Sequence, residues 1–158
     1  MQPLDILAIV VRWIHLLSVV VAIGGTIFMR FVLMPSAQAA LTPELRTELH
    51  ANLVARWKRV VHVCIALLII TGSFNFYMTF HDGVKPIPYH PIFGLKLLLA
   101  FSIFFLASAL TGSSPGFAGI RQNRKKWSAV LIALAVLAIM VSGVLRVIHI
   151  AAMTTPAG

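Results

Sequence analysis

The chain has 158 residues, of which 59% are hydrophobic and only 11% are charged, and its formal net charge is +9. A soluble domain carries about 25% charged and about 45–50% apolar residues, so this composition excludes an ordinary soluble protein. The basic residues lie in connections between apolar segments, and membrane topology therefore explains the charge better than nucleic-acid binding does. We expect a lipid bilayer, and no nucleic acid, as the partner of this chain.

Four apolar segments are long enough to cross a bilayer, which requires about 20 residues. They cover residues 7–31, 60–80, 91–110 and 127–151. No Lys or Arg precedes the first segment and no small-residue cleavage site follows it closely, so it is interpreted as a retained helix rather than a signal peptide. The short connections predict a single all-α domain, an integral membrane bundle of four antiparallel helices. Small residues that let helices approach closely occur in every span: Gly24, Gly25, Gly72, Ser73, Ala107, Ser108, Ser142 and Gly143.

An amphipathic helical segment is predicted before the second span, from Thr42 to Lys58. Thr42 can cap this helix, Pro43 suits its first position, and Glu44 suits its positive end. Apolar residues then recur near helical spacing at Leu45, Leu49, Leu53 and Val54. We expect the segment to continue into the second span.

The distribution of basic residues predicts the orientation of the protein. The connections 32–59 and 111–126 are rich in Arg and Lys, whereas the 81–90 loop contains only Lys85 clearly outside a span. Because basic loops stay in the cytoplasm, we expect 32–59 and 111–126 there, with both termini and the 81–90 loop outside. These features predict a multi-pass protein of the inner (cytoplasmic) cell membrane, with Trp57 and Trp127 at the cytoplasmic boundary. A homodimer or association with other membrane subunits remains open.

Ionisable residues within the spans are the strongest functional signal, because they are costly in lipid and usually face the interior of a bundle. Helical spacing groups them with other polar or small residues into one stripe per helix in three spans. The stripes are Arg12, His15, Ala22, Thr26 and Arg30 in the first span, Arg59, His62, Ala66 and Ser73 in the second, and Ser142, Arg146 and His149 in the fourth. Each stripe can face the centre of the bundle.

The outer half of the bundle collects Arg12, His15, Lys96, Arg146 and His149. His15 lies about 9 residues, or ~13 Å, below the outer edge, near the middle of the bilayer. Imidazole is a common ligand of haem iron, and cations at a membrane edge can hold the haem propionates. We therefore expect His15 to ligate haem b, and the nearby cations Arg12, Lys96 and Arg146 to hold its propionates. His149 is favoured over His62 as second axial ligand, because His62 lies toward the other membrane edge.

Simpler interpretations remain open for some of these residues. Arg146 and His149 are close enough to a helix end to snorkel to the interface, and His62 can mark the cytoplasmic boundary. No glycine-rich phosphate loop, metalloprotease motif or Ser/His/Asp set is present, and neither aspartate lies within a span. A carboxylate proton relay is therefore not expected.

Metal binding outside a haem site has weaker support. The outer loop holds His81, Asp82, Tyr89 and His90, which could bind a metal but are more simply solvated. Met29 and Met34 could serve as soft copper ligands. They are five residues apart and fall on poorly matched faces of an α-helix, which favours packing roles for both.

Several short motifs resemble a superfamily of four-helix membrane proteins. It includes the HemJ-type protoporphyrinogen oxidases and the CopD-type copper-resistance membrane domains. The motifs are RWIHLL at 12–17 followed by Gly24, Gly25 and Arg30, GLKLLL at 94–99, and Arg59 followed by Thr71 and Gly72. The last of these is similar to the CopD side of the superfamily.

The resemblance implies haem b binding, with His15 and Lys96 as the functional pair. The chain departs from the HemJ pattern at 22–25, where it reads AIGG instead of an aromatic-rich stretch. The leading prediction is a haem b-binding redox membrane protein, acting in electron transfer or porphyrinogen oxidation. The alternatives are a copper or other metal transport or resistance protein, and a cofactor-free structural subunit of a larger membrane complex.

Overall fold

The computed structural model describes the backbone of residues 3–81 and 89–154, and the side chains of residues 6–78, 91–148, 150 and 151. Some of the candidate residues lie outside these ranges. They are Asp82 and Lys85 entirely, and the side chains of His81, Tyr89, His90 and His149.

Four long helices form the body of the protein. They are α1 (Pro3–Phe28), α3 (Pro43–His81), α4 (Tyr89–Thr111) and α6 (Arg124–Thr154). The connections contain a π-helical turn (Met29–Leu33), α2 (Met34–Ala40), a 3₁₀ turn (Pro115–Phe117) and α5 (Ala118–Gln122). Each of the four long helices contains a segment long and apolar enough to cross a membrane. The prediction of an all-α, multi-pass membrane protein is confirmed.

The long helices pack as a ring of neighbours. α1 packs mainly on α3, and α4 packs mainly on α6, while α3 with α4 and α1 with α6 make the remaining contacts. The described core lies largely between α4 and α6, in one cluster around Leu99, Val141 and Leu145 and another around Leu106, Leu110 and Leu131. Trp127 packs against the second cluster and so faces inward.

The outer surface of the bundle is strongly apolar. Large side chains such as Trp13, Leu17, Val20 and Phe101 are more than 60% exposed. A continuous apolar surface of this kind is a liability in water and the normal outer surface of a protein in lipid.

The first helical run is longer than the predicted 7–31 span, because it passes through Pro35 without stopping. Proline has no N–H to donate to the carbonyl four residues earlier, here Phe31, and its ring would collide with that carbonyl. The π turn widens the helix at this point, and the Met34 N–H donates to the Met29 carbonyl. Helical structure then continues to Ala40.

The predicted amphipathic segment has no boundary of its own in the structure. It is the first part of α3, which is one continuous helix from Pro43 to His81. Because the long helices alternate in direction, the start of α3 meets the π turn, the end of α4 and the start of α6. We call this end of the bundle, formed by residues 29–57 and 110–128, the basic end.

Candidate functional site around His15

His15 lies at the middle of α1 and faces α3. It is 12 residues from Pro3 and 13 from Phe28, which places it about 18–20 Å from either end of the helix. Its side chain is half-buried, and its Nδ1 atom lies 2.8 Å from the hydroxyl oxygen of Thr71. The ring also lies against Gly72, where a Cβ atom would be 3.7 Å from His15 Cε1.

The hydrogen bonds of Thr71 assign the proton on the His15 ring. The buried Thr71 hydroxyl donates to the carbonyl oxygen of Leu67 at 2.6 Å. A hydroxyl has a single hydrogen, so Thr71 must accept the hydrogen bond from His15. Nδ1 of neutral His15 is therefore the N–H nitrogen, and Nε2 carries the free lone pair. This tautomer leaves Nε2 available as a ligand or an acceptor.

Two cations lie on the side of His15 that faces away from the basic end. Lys96, half-buried on α4, is within electrostatic reach of the His15 imidazole. Arg12, one turn before His15 on α1, is within electrostatic reach of Lys96. The chain has only four acidic residues, and none of them lies in a predicted span. Within the described residues, the charged neighbours of His15 are therefore cations, and no described carboxylate lies among them.

The remaining predicted site residues are not joined to this cluster in the described part of the chain. His62 is exposed, and its Nδ1 donates to the carbonyl oxygen of Lys58, one turn earlier on α3. It is nine residues from Thr71 along α3, which corresponds to about 13 Å. Arg146 is exposed on α6, and of His149 only the backbone position on α6 is described.

The predicted polar stripe of the second span faces outward, which corrects the expectation that it faces the bundle centre. Its four members, Arg59, His62, Ala66 and Ser73, are all exposed. The buried positions of α3 are instead Val61, Cys64 and Thr71. α3 packs against α1 and α4 through its apolar face, because burying the Arg59 guanidinium without a partner would raise the free energy of the folded protein.

Sequence reasoning did not identify Thr71 as the partner of His15. The only sequence signal at Thr71 was the Thr71–Gly72 pair, and that pair was used only for the family resemblance. In the first span, by contrast, the predicted stripe is largely correct, since His15, Ala22, Thr26 and Arg30 are all half-buried. Arg12 at the end of that stripe is exposed.

A multi-donor metal centre is not assembled in the described residues. Within that part of the chain, no group of three or more His, Cys, Asp or Glu side chains could hold a metal ion. The described groups around His15 are therefore one imidazole, the half-buried Lys96 and, one turn earlier on α1, the exposed Arg12. No protein-family model, no curated protein and no solved structure matches this chain.

Proposed function

We propose that this chain is a haem b-binding redox protein of the membrane, in which His15 ligates the iron through Nε2. The observation that supports this most is the hydrogen bond to Thr71, which keeps the proton on Nδ1. Histidines that ligate metals nearly always donate their other ring N–H to an acceptor, and this fixes both the tautomer and the ring orientation. When bound, haem b supplies one-electron transfer.

The cations beside His15 complete the proposed site. Lys96 and Arg12 would hold the propionates, whose negative charges would pair with these two cations. Arg146 is a third candidate for that role, and its exposure on α6 is also compatible with the snorkelling alternative. His149, whose side chain lies outside the described residues, would be the second candidate to hold the iron. His62 fits that role poorly, because it lies about 13 Å along α3 from Thr71 and on the outer face.

The competing interpretations account for less of this arrangement. A His–Thr hydrogen bond can simply join two membrane helices. That role alone does not require Lys96 and Arg12 beside the imidazole. A copper protein needs several soft or imidazole donors in one place. We therefore rank haem binding above both the copper alternative and the cofactor-free subunit.

We further propose that the basic end faces the cytoplasm in an inner membrane. Arg30, Arg46, Arg124 and Lys125 all lie at this end, as the positive-inside rule requires of a cytoplasmic face. The proposed haem site would then lie in the outer half of the bilayer.

An absorption spectrum of the detergent-purified full chain, expressed with ample haem supply, tests the proposed function. We expect a Soret band and about one haem per chain or per small oligomer, measured as the pyridine haemochromogen. Copper in stoichiometric amount with no Soret band would replace the proposal with the copper alternative. A colourless chain that neither takes up hemin nor binds copper would leave the structural subunit.

Removing the Thr71 hydroxyl is expected to weaken haem binding while leaving the ligand in place. Thr71→Val has nearly the same shape but cannot accept the Nδ1–H bond, and loss of such an outer partner typically weakens metal binding about 10–100-fold. Hemin titration of the apoprotein measures the effect. Thr71→Ser should retain wild-type affinity, since its hydroxyl can make the same bond.

The matched control for this experiment is Thr111→Val. Thr111 is also buried, and its hydroxyl donates to the carbonyl four residues earlier, that of Ala107, at 2.8 Å. It contacts no histidine among the described hydrogen bonds. Equal losses of hemin affinity in Thr71→Val and Thr111→Val would show that the effect comes from general helix destabilisation.

Neutralising Lys96 is expected to weaken hemin binding at least tenfold while leaving His15 in place. A hydrogen bond to a charged group contributes about 1.5–3 kcal/mol, and about 1.4 kcal/mol corresponds to a tenfold change in affinity. Hemin titration of Lys96→Gln measures this change. The control is Lys126→Gln, an exposed cation at the basic end that should bind hemin as the wild type does.

A further inference from the structure

A cavity of about 650 Å³ opens at the basic end of the bundle. It lies among the π turn, α2 and the beginnings of α3 and α6, with the end of α4 on one side. Along α1 its deepest residue, Thr26, is 11 residues from His15, or about 16 Å. The cavity is therefore separate from the candidate site around His15, and a ligand could bind in it whether or not the protein binds haem.

The polar part of this cavity is cationic. Its lining contains Arg30, Arg46, Arg124 and Lys125 and no carboxylate. Arg30 donates to the Lys125 carbonyl and to the Ser128 hydroxyl. Because both of these acceptors are neutral, they orient the Arg30 guanidinium without cancelling its charge.

Arg124 is held in the same way. It donates to Nε2 of His50 at 2.7 Å and to the carbonyl oxygen of Leu110. Since a guanidinium has several N–H donors, both Arg30 and Arg124 keep donors for a further acceptor. Two fixed guanidinium groups lining one cavity are well suited to a phosphate, which Arg can bind through paired hydrogen bonds.

Arg121 adds a further positive charge close to Arg124. The charge of Arg121 lies within electrostatic reach of Arg124, and its Nη1 atom is buried without a hydrogen-bond partner. A buried donor without an acceptor costs about 1–3 kcal/mol, and more when it is charged. The region thus has more positive charge, and more donors, than its own residues satisfy.

A metal cation does not suit this cavity, although Met29, Met34 and His50 all line it. Both methionines line the cavity, together with Arg30 and Phe31 of the same π turn. Nε2 of His50 is nevertheless occupied by the Arg124 guanidinium. The surrounding cations would also repel a metal ion.

The inner part of the cavity is apolar. Along α3 the lining changes from Arg46 and Thr47 at the start of the helix to Trp57 and Val61 further along it, a distance of about 21 Å at 1.5 Å per residue. Leu131 on α6 completes this apolar part. A cationic opening that leads to an apolar interior matches a molecule with an anionic head and a hydrocarbon tail.

We propose that the cavity binds one anionic phospholipid. Arg30 and Arg124 hold the phosphate, with Arg46 and Lys125 nearby, and an acyl chain lies along Trp57, Val61 and Leu131. A lipid with net negative charge is favoured over a zwitterionic one, because the headgroup cation of the latter would meet the same basic side chains. Each Lys or Arg near an anionic lipid surface adds about 1 kcal/mol to binding.

The experiment is native mass spectrometry of the purified full chain titrated with phosphatidylglycerol or phosphatidylcholine. We expect one phosphatidylglycerol per chain, bound at least tenfold more tightly than phosphatidylcholine. Arg124→Gln and Arg30→Gln should each weaken phosphatidylglycerol binding about tenfold, and Lys126→Gln should leave it unchanged. Equal binding of the two lipids, or an equal loss in Lys126→Gln, would overturn the proposal.

Two further measurements keep the test decisive if a glutamine variant folds poorly. Leu53→Trp fills part of the cavity and keeps every cation, so it should weaken phosphatidylglycerol binding if the chain enters the cavity. Inorganic phosphate, tested at the same concentration as the lipid, should not raise the thermal unfolding temperature as phosphatidylglycerol does. If Leu53→Trp binds phosphatidylglycerol normally, the acyl chain does not enter the cavity and the proposal is wrong. If phosphate alone stabilises the protein equally, the site binds a free anion and the lipid assignment is wrong.

Discussion

Replacing His15 by asparagine is expected to abolish the Soret band of the purified protein. The amide N–H of asparagine can still donate to the Thr71 hydroxyl, but asparagine has no imidazole nitrogen for the iron. Loss of an outer partner weakens a metal site about 10–100-fold, so loss of the ligand itself should exceed about 100-fold, or about 2.7 kcal/mol. Haem content per chain and a hemin titration measure the effect.

The asparagine variant separates the ligand role of His15 from a purely structural one. If His15 only joins α1 to α3, His15→Asn should keep both the fold and any bound haem. If His15 is the ligand, the fold should persist and the haem should be lost. Thr71 retains its hydrogen bond to the Leu67 carbonyl in either case, so no buried hydroxyl is left without a partner.

The control for this experiment is His62→Asn. His62 is exposed, and within the described residues its hydrogen bond is to the Lys58 carbonyl of its own helix, so this variant should retain the full Soret band. A normal Soret band in His15→Asn would move the iron to another ligand and end the present proposal. Circular dichroism and gel filtration of all variants establish that they are folded.

The four spans could be predicted from the sequence because their signal is local. Length and apolar composition alone identify a crossing segment, and no knowledge of neighbouring helices is needed. The depth of His15 within its span follows from the same count of residues. That histidine could therefore be selected as a candidate before its partner was known.

The partner of His15 could not be predicted, because it depends on how α1 and α3 are aligned and rotated. His62 and Thr71 both lie on α3, and spacing alone does not say which of them faces α1. The sequence favoured the face with more polar residues, that of Arg59 and His62. The structure buries the face of Val61, Cys64 and Thr71 instead, on which Thr71 satisfies its hydroxyl within its own helix.

The π turn is a second feature that could not be predicted from the regular helical spacing of the sequence. Regular spacing at 3.6 residues per turn places Met29 and Met34 on different faces, because five residues exceed one α-helical turn. One wider turn at Pro35 changes the register of everything after it. Both methionines line the cavity at the basic end, together with Arg30 and Phe31 of the same turn.

The sequence also could not show which small residues of the spans lie at contacts between helices. Alanine substitutions can test this. Of the pair Gly24 and Gly25, only Gly25 makes a close contact, where a Cβ atom would overlap the Trp57 ring on α3. At Gly24 a Cβ atom would meet nothing within 4 Å. Both glycines are in α1, so substitution by alanine makes the same backbone change at each.

Gly25→Ala is therefore expected to lower the free energy of unfolding, whereas Gly24→Ala should leave it unchanged or raise it by up to about 1 kcal/mol through helix propensity. Overpacking of this kind typically costs about 1–3 kcal/mol, because the Trp57 ring must move. Unfolding of both variants in mixed micelles gives the difference.

A double-mutant cycle assigns the difference to this one contact. Replacing Trp57 by leucine removes the atoms with which the new methyl group collides, so Gly25→Ala should lose most of its effect in the Trp57→Leu background. An unchanged effect there would mean that Gly25 is required for a reason other than the indole. Equal effects of Gly24→Ala and Gly25→Ala in the wild-type background would contradict the packing of α1 on α3, and with it the alignment that places Thr71 beside His15.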